Sequence, residues 1–326
     1  MNLYGIGENK LEFLEPDDID FAAYLKETDS HQKVRQASVY LEEIVADIKN
    51  PSKEPVIQLP WAKTHEDFAF RLGEVTLYAG SNGGGKSLIT GQIALHLIKQ
   101  HQKVCIASFE MKPKRSLERM LRQFSGENIN KPRFSEKRNH IEGLVGRLKN
   151  FSKNQLWFYD QQGTTSAAQV IAVARYCAVK LGVKHFFIDS LMKCVQGEDD
   201  YNGQKWFIDE LCALARDHSM HIHLIHHIRK LSNEESTPNK HDIKGTGAIA
   251  DQVDNVFMVW RNKKKEHQIS AGNSVDNQTM DAMLMCEKQR NGEVEEWYSL
   301  WFHRESQQFV DQWDGMPLAF DRHGNF

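Results

Sequence analysis

The sequence predicts an α/β fold: a mainly parallel sheet flanked by helices, ending in an antiparallel hairpin and preceded by a short helical arm. Three observations carry this. From about residue 56 onward short apolar runs alternate with helical patterns, and strands separated by helices need crossover connections. A glycine-rich segment, Gly80-Ser81-Asn82-Gly83-Gly84-Gly85-Lys86-Ser87, joins one such run to one such helix. Two late runs, 281–287 and 296–302, are separated only by a short link containing Asn291-Gly292, which turns a chain back on itself.

In chain order, the acidic stretch Glu15-Pro16-Asp17-Asp18-Ile19-Asp20 comes first. A helical segment over 31–49 follows, with Val34, Ala37, Leu41, Ile44 and Ile48 at helical spacing and Pro51 and Pro55 ending it. Its apolar stripe fits either an arm packed on its own core or one docked on a neighbouring subunit. Strands are expected at 74–79, 103–109, 155–159, 184–189, 221–226 and 255–260, and amphipathic helices at 86–100, 114–124, 166–181 and 203–218. The polar segments 193–204 and 230–242 read as mobile loops, and the basic cluster Arg261, Lys263, Lys264, Lys265 as a solvated turn.

Composition sets outer limits. The 326 residues hold 41 Lys+Arg against 44 Asp+Glu, a formal charge of −3, which excludes a uniformly basic protein but leaves room for a local basic strip. No apolar run approaches the ~18 residues of a membrane span, and the N-terminus lacks the basic and apolar regions of a secretory signal. The five cysteines, Cys105, Cys177, Cys194, Cys212 and Cys286, form no CxxC pair, so a reducing compartment and core packing are expected of them.

The chemistry begins at 80–87, which fits G-x-x-x-x-G-K-[ST] between a strand and a helix. Glycines there let backbone N–H groups turn toward phosphate oxygens, and the helix N-terminus adds partial positive charge. Lys86 is expected at the β- and γ-phosphates, and Ser87 on Mg²⁺. The apolar strand His185-Phe186-Phe187-Ile188-Asp189 ends in a carboxylate suited to the same Mg²⁺. Glu110, in Phe109-Glu110-Met111, follows the next strand, where parallel strands converge on a ligand crevice, and could orient an attacking water. His226-His227 ends a strand where a polar side chain can sense the γ-phosphate. Metal binding by His221, His223, His226 and His227 is the alternative, without Cys, His or Asp partners at known ligand spacing.

The order of these motifs resembles a known family. The P-loop is followed by FEM, FFIDS, LIHHIRK, Asp242-Ile243-Lys244-Gly245-Thr246-Gly247-Ala248-Ile249 and Glu287-Lys288-Gln289-Arg290-Asn291-Gly292. Over roughly residues 56–310 this resembles the RecA-like motor domain of DnaB-family hexameric replicative helicases, nearest to the helicase half of phage primase-helicases and Twinkle. The last two motifs are the most specific. The resemblance implies a RecA-like P-loop NTPase core and an ATP-dependent helicase, moving 5′→3′ on single-stranded DNA as a ring, most simply a hexamer. It implies Glu110 as catalytic glutamate, His227 as γ-phosphate sensor, and Arg290 as an arginine finger given to the neighbouring subunit, with Lys288 beside it. Arg261 and Phe302 would hold the adenine. Arg229, Lys230, Lys240 and Lys244, on loops facing the ring's centre, would contact DNA phosphates.

Residues 1–55 depart from that family. No zinc-binding or primase region precedes 56–326, and the segment resembles the linker whose helix docks on the next subunit, which favours the second reading of the arm. A separate primase, polymerase or loader is then the expected partner, with no membrane, in the cytoplasm of a bacterial cell; a phage origin suits so compact a motor. A RecA/RadA-like recombination ATPase and an ATP-gated scaffold or loader module are the rival readings.

Overall fold

The computed structural model describes residues 37–50, 55–131, 138–197, 199–231, 233 and 235–320. Among them nine strands form one sheet: β1 (Val75–Gly80), β2 (Val104–Ser108), β3 (Leu156–Tyr159), β4 (His185–Asp189), β5 (His221–His227), β6 (Asn255–Arg261), β7 (Ala282–Gln289), β8 (Trp297–His303) and β9 (Gln308–Val310). Their spatial order is β3-β2-β4-β5-β1-β6-β7-β8-β9. The first six run parallel, and β7, β8 and β9 continue antiparallel.

The helices are α1 (Ala37–Lys49), α2 (Lys86–Lys99), α3 (Pro113–Ser125), α4 (Arg138–Phe151), α5 (Ala167–Tyr176), α6 (Tyr201–Asp217), α7 (Ala248–Gln252) and α8 (Lys263–Ser270). α5 runs on into a π-helical turn at Cys177–Leu181. Alternate strand residues feed two cores. Leu77, Ile188, Leu224 and Met258 pack with α5 and α6 on one face. Tyr78, Phe187, Ile225 and Phe257 pack with α2 and α3 on the other. Burial on both faces is why β1 and β4 read as unbroken apolar runs.

Polar clamps lock the far edge to the P-loop helix. The Gln92 amide donates to Phe309 O (2.9 Å) and accepts from Phe309 N (2.8 Å), and Trp61 Nε1 donates to the same carbonyl. Gln123 ties Leu88 O to Gln307 O. All five cysteines are buried thiols, as expected. No described helix is long and apolar enough to cross a membrane.

Three expectations need correction. The segment 193–204 is not all loop, because Asp200 caps α6 by accepting from Gly203 N. The 261–265 cluster is not a solvated turn: Asn262 caps α8, and Lys265, buried, pairs with Asp281 at 2.8 Å. The predicted arm helix is found over 37–49; its first residues, 31–36, lie outside the described residues.

Candidate active site

The buried strand β1 delivers the glycine-rich loop to the C-terminal edge of the sheet. Gly83 and Gly85 hold φ of +71° and +93°, which L side chains rarely adopt. Gly85 is the N-cap of α2 and no side chain caps that first turn, so its N–H groups remain available to an anion. Lys86 Nζ donates to Gly80 O and Ser81 O, both at 2.9 Å, and to His227 Nδ1 at 3.3 Å. Burial pushes its pKa down to about 8, against the opposing pull of Asp189 and Glu110.

β4, β2 and β5 bring the other predicted residues to the same edge. Ser87 Oγ donates to Asp189 Oδ2 at 3.0 Å. Burial, then the charge of Glu110, pushes the Asp189 carboxyl up despite Ser87 and Lys86, so the site is short of positive charge. Two hard oxygen donors side by side in such a site fit Mg²⁺. Glu110 Oε1 accepts from Ser190 Oγ at 2.9 Å and meets His227 Nε2 at 3.4 Å. The hydrogen bond to His227 is the main cause that holds the Glu110 carboxyl down at about 2, with Ser190 adding to it. The tautomer that fits accepts from Lys86 at Nδ1 and donates to Glu110 from Nε2.

Residues the sequence reading missed complete the cleft. Arg119, Lys193 and Gln307 line it, and Ser190 supports Glu110 from beneath. Arg119 follows Glu110 by nine positions on α3, a spacing that carries no signal until the helix is placed. Arg261 and Phe302 flank an adjoining hollow beside Gly85, with Arg261 Nη1 donating to Gly83 O at 2.9 Å.

Lys288 and Arg290 do not join this site. The turn after β7 lies at the N-terminal end of β1, where Asp254 Oδ2 accepts from Val75 N. A six-residue strand puts about 17 Å between that end and Gly80. Every residue of the turn has a defined task. Lys288 Nζ donates to Ala250 O, Asp251 O and Val253 O. Gln289 reaches Asp67 O and Val294 O, and Asn291 donates to the buried Glu74. A Cβ at Gly292 would strike the Gln289 amide. Arg290 pairs with Asp254 at 3.2 Å, so it is neither loose nor merely solvated.

The basic loop residues divide. Arg229, Lys230 and Lys244 follow or pair with the end of β5: Arg229 N donates to Asp242 O, and Lys244 N to His227 O. Arg229 and Lys230 are exposed. Lys240 points elsewhere, donating to Glu287 O on β7.

Of the histidines weighed as metal ligands, His221 and His223 point into the core with His185. His221 Nε2 bonds Thr76 Oγ1 at 2.8 Å, and His223 bonds Tyr78 and His185. His226 Nε2 donates to Lys244 O. Among the described residues no His, Cys, Asp and Glu group is arranged to hold a metal ion.

Comparison with known proteins adds to this geometry. Residues 68–311 match the profile of the family described as DnaB-like helicase C terminal domain. A solved structure of an isolated ATPase domain superposes with a TM-score of 0.72 at 15% identity, over 85% of this chain and 99% of that one. A DnaB-like replicative helicase, described with its interactions with primase, gives 0.68 at 17% identity, over 85% and 67% of the two chains. At these identities the structural likeness concerns the fold.

Proposed function

The chain belongs to the DnaB-like helicase C-terminal domain family, an ATP-hydrolysing DNA helicase domain of replicative type, and on that premise we propose that it is a 5′→3′ single-stranded DNA translocase working as a hexameric ring with ATP hydrolysed between subunits. The observation that carries this reading is the distance from Arg290 to its own P-loop: the arginine sits at the opposite end of β1 and cannot serve it. Residues 56–326 are the motor, and 1–55 the arm. Within that arm α1 turns Leu41, Ile44, Val45 and Ile48 to solvent, 48–75% exposed, as an interface helix would.

In hydrolysis the first turn of α2 and Lys86 take the phosphates. When bound, Mg²⁺ would be held by Ser87 and Asp189 and would offset charge on the β- and γ-phosphoryl oxygens. Glu110 orients the attacking water. A carboxylate with a pKa of about 2 is a weak base, which suits a transition state where positioning outweighs proton abstraction. Water oxygen bonds to the γ-phosphorus, the bond to the β–γ bridging oxygen breaks, and ADP and phosphate leave. His227 can exchange Lys86 and Glu110 for a γ-phosphate oxygen, and so reports its presence to β5. Arg290 of a neighbour would supply charge worth ~10³–10⁵ in rate. Arg229, Lys230 and Lys244 support phosphate contacts to single-stranded DNA, and the relative described with primase supports a separate primase as partner.

The test is mixing. Lys86→Ala and Arg290→Ala chains should each be nearly inactive alone. Mixed one to one in a ring, they should regain activity at about a quarter of sites, where an intact pocket meets an intact arginine across a head-to-tail interface. No recovery on mixing, with both variants still assembling, would overturn the shared site. ATPase without strand displacement would favour a RecA/RadA-like role.

A further inference from the structure

The arginine turn has a buried counter-charge that the family motifs do not announce. Asp254 links α7 to β6, and its side chain is only 6% exposed. One carboxylate oxygen accepts the N–H of Val75 at 2.9 Å, and the other lies 3.2 Å from Arg290 Nη1. The main chain closes the same pair, since Arg290 N donates to Asp254 O at 2.9 Å and Asp254 N to Val75 O at 3.0 Å. Arg290 Nη2 donates to Asp251 O (3.2 Å) and Gln252 O (3.0 Å), carbonyls at the end of α7 where a helix leaves its acceptors unsatisfied.

Three contacts therefore hold one edge of a five-donor guanidinium, while the side chain stays 44% exposed and its remaining donors are free to face a neighbour. A long side chain loses rotamer freedom whenever it is held in one geometry. An arginine already fixed does not lose that freedom again in each transition state, which is the advantage of a preorganised charge.

We infer that Asp254 is a positioning residue for hydrolysis at the neighbouring subunit's site: it fixes the guanidinium of Arg290 in the orientation offered to that site. This rests on the reading of Arg290 as a residue donated between subunits. Asp254 touches no nucleotide; it acts through Arg290.

The test is a double-mutant cycle on the full chain. DNA-stimulated kcat and KM for ATP are measured for wild type, Asp254→Asn, Arg290→Ala and the double variant, with melting and sedimentation of each. Asparagine keeps an acceptor for Val75 N and removes the charge facing Arg290. Asp254→Asn should lower kcat ~10-fold with KM changed less than about twofold, and should change kcat less than about twofold once Arg290 is alanine. Losses that multiply in the double variant, or a loss confined to KM or to ring assembly, would overturn the positioning role. Should the asparagine variant unfold, Asp254→Glu keeps the charge and displaces the guanidinium; it should lower kcat only when Arg290 is present, and an equal loss in both backgrounds overturns the proposal. A wild-type kcat in Arg290→Ala would instead remove the donated arginine on which it rests.

Discussion

The carboxylate of Glu110 and the Nε2 of His227 meet at 3.4 Å across the C-terminal ends of β2 and β5, with β4 between them. That contact keeps Glu110 ionised far below neutral pH. Glu110→Gln keeps the shape and loses the charge. Turnover should fall ~10²–10⁴-fold with nucleotide affinity changed only a few-fold, as read by steady-state ATPase and fluorescent-nucleotide titration. Affinity lost along with turnover would remove Glu110 from its role.

Lys86 gives nucleotide binding a basic limit. With its pKa lowered to about 8, the ammonium is present at pH 7 and is lost as pH rises through 8. Binding that requires the cation should weaken ~10-fold between pH 7 and pH 9, with a slope approaching one decade per unit. Affinity that stays flat to pH 9.5 would contradict this.

Acid should unfold the protein early. Burial lowers His221 and His226 to about 4, and His185 and His223 well below their ordinary value. The unfolded chain takes up these protons near pH 6.5 and the fold does not, so the stability is present above pH 6.5 and lost toward pH 4. At pH 5 the loss is about 2 kcal/mol for each of His221 and His226. Urea midpoints at pH 7.5, 6.5 and 5.0 should fall steadily; equal midpoints would refute it.

The apolar stripe of α1 predicts where assembly is vulnerable. Ile44 and Ile48 are 53% and 75% exposed, so changing both to Glu should leave the melting of a single chain within ~0.5 kcal/mol. Burying two isoleucines between subunits contributes about 3–6 kcal/mol, so sedimentation should show association weakened by at least ~100-fold. An unaltered ring would exclude the arm from the interface.

Arg229 is exposed beside the end of β5. If it contacts a DNA phosphate, Arg229→Ala should weaken single-stranded DNA binding similarly for all sequences and lower the salt slope by about 1. Lys240, turned toward Glu287, should have a smaller effect. Equal slopes for Arg229→Ala and wild type would move the DNA path elsewhere.

What the sequence made legible follows from where information is local. β1, β4 and β6 stood out because burial on both faces leaves a continuous apolar run. The three-residue β9 has too little pattern to see. α8 is lysine-rich with no apolar stripe, and its cap Asn262 and its Lys265–Asp281 pair are the visible supports. Asp200 looked like loop because capping and turns use the same side-chain chemistry. At the site, Lys86, Ser87, Glu110, Asp189 and His227 each end or begin an element, which is where parallel strands converge. Arg119, Lys193, Gln307 and Asp254 carry no motif of their own; only the crossing of α3, the loop after β4, the β8–β9 turn and the α7–β6 link brings them to their places.

β1 keeps its glycine loop and its Asp254 anchor at opposite ends, so each chain is polar in the way a magnet is. It accepts an arginine on one flank and gives one on the other. A closed circle leaves no orphan, whereas a circle cut once forfeits a single workplace however many members it has. Turnover per chain therefore counts breaks: a linear run of n members works at n − 1 places, and the deficit fades as the run lengthens or vanishes when it shuts.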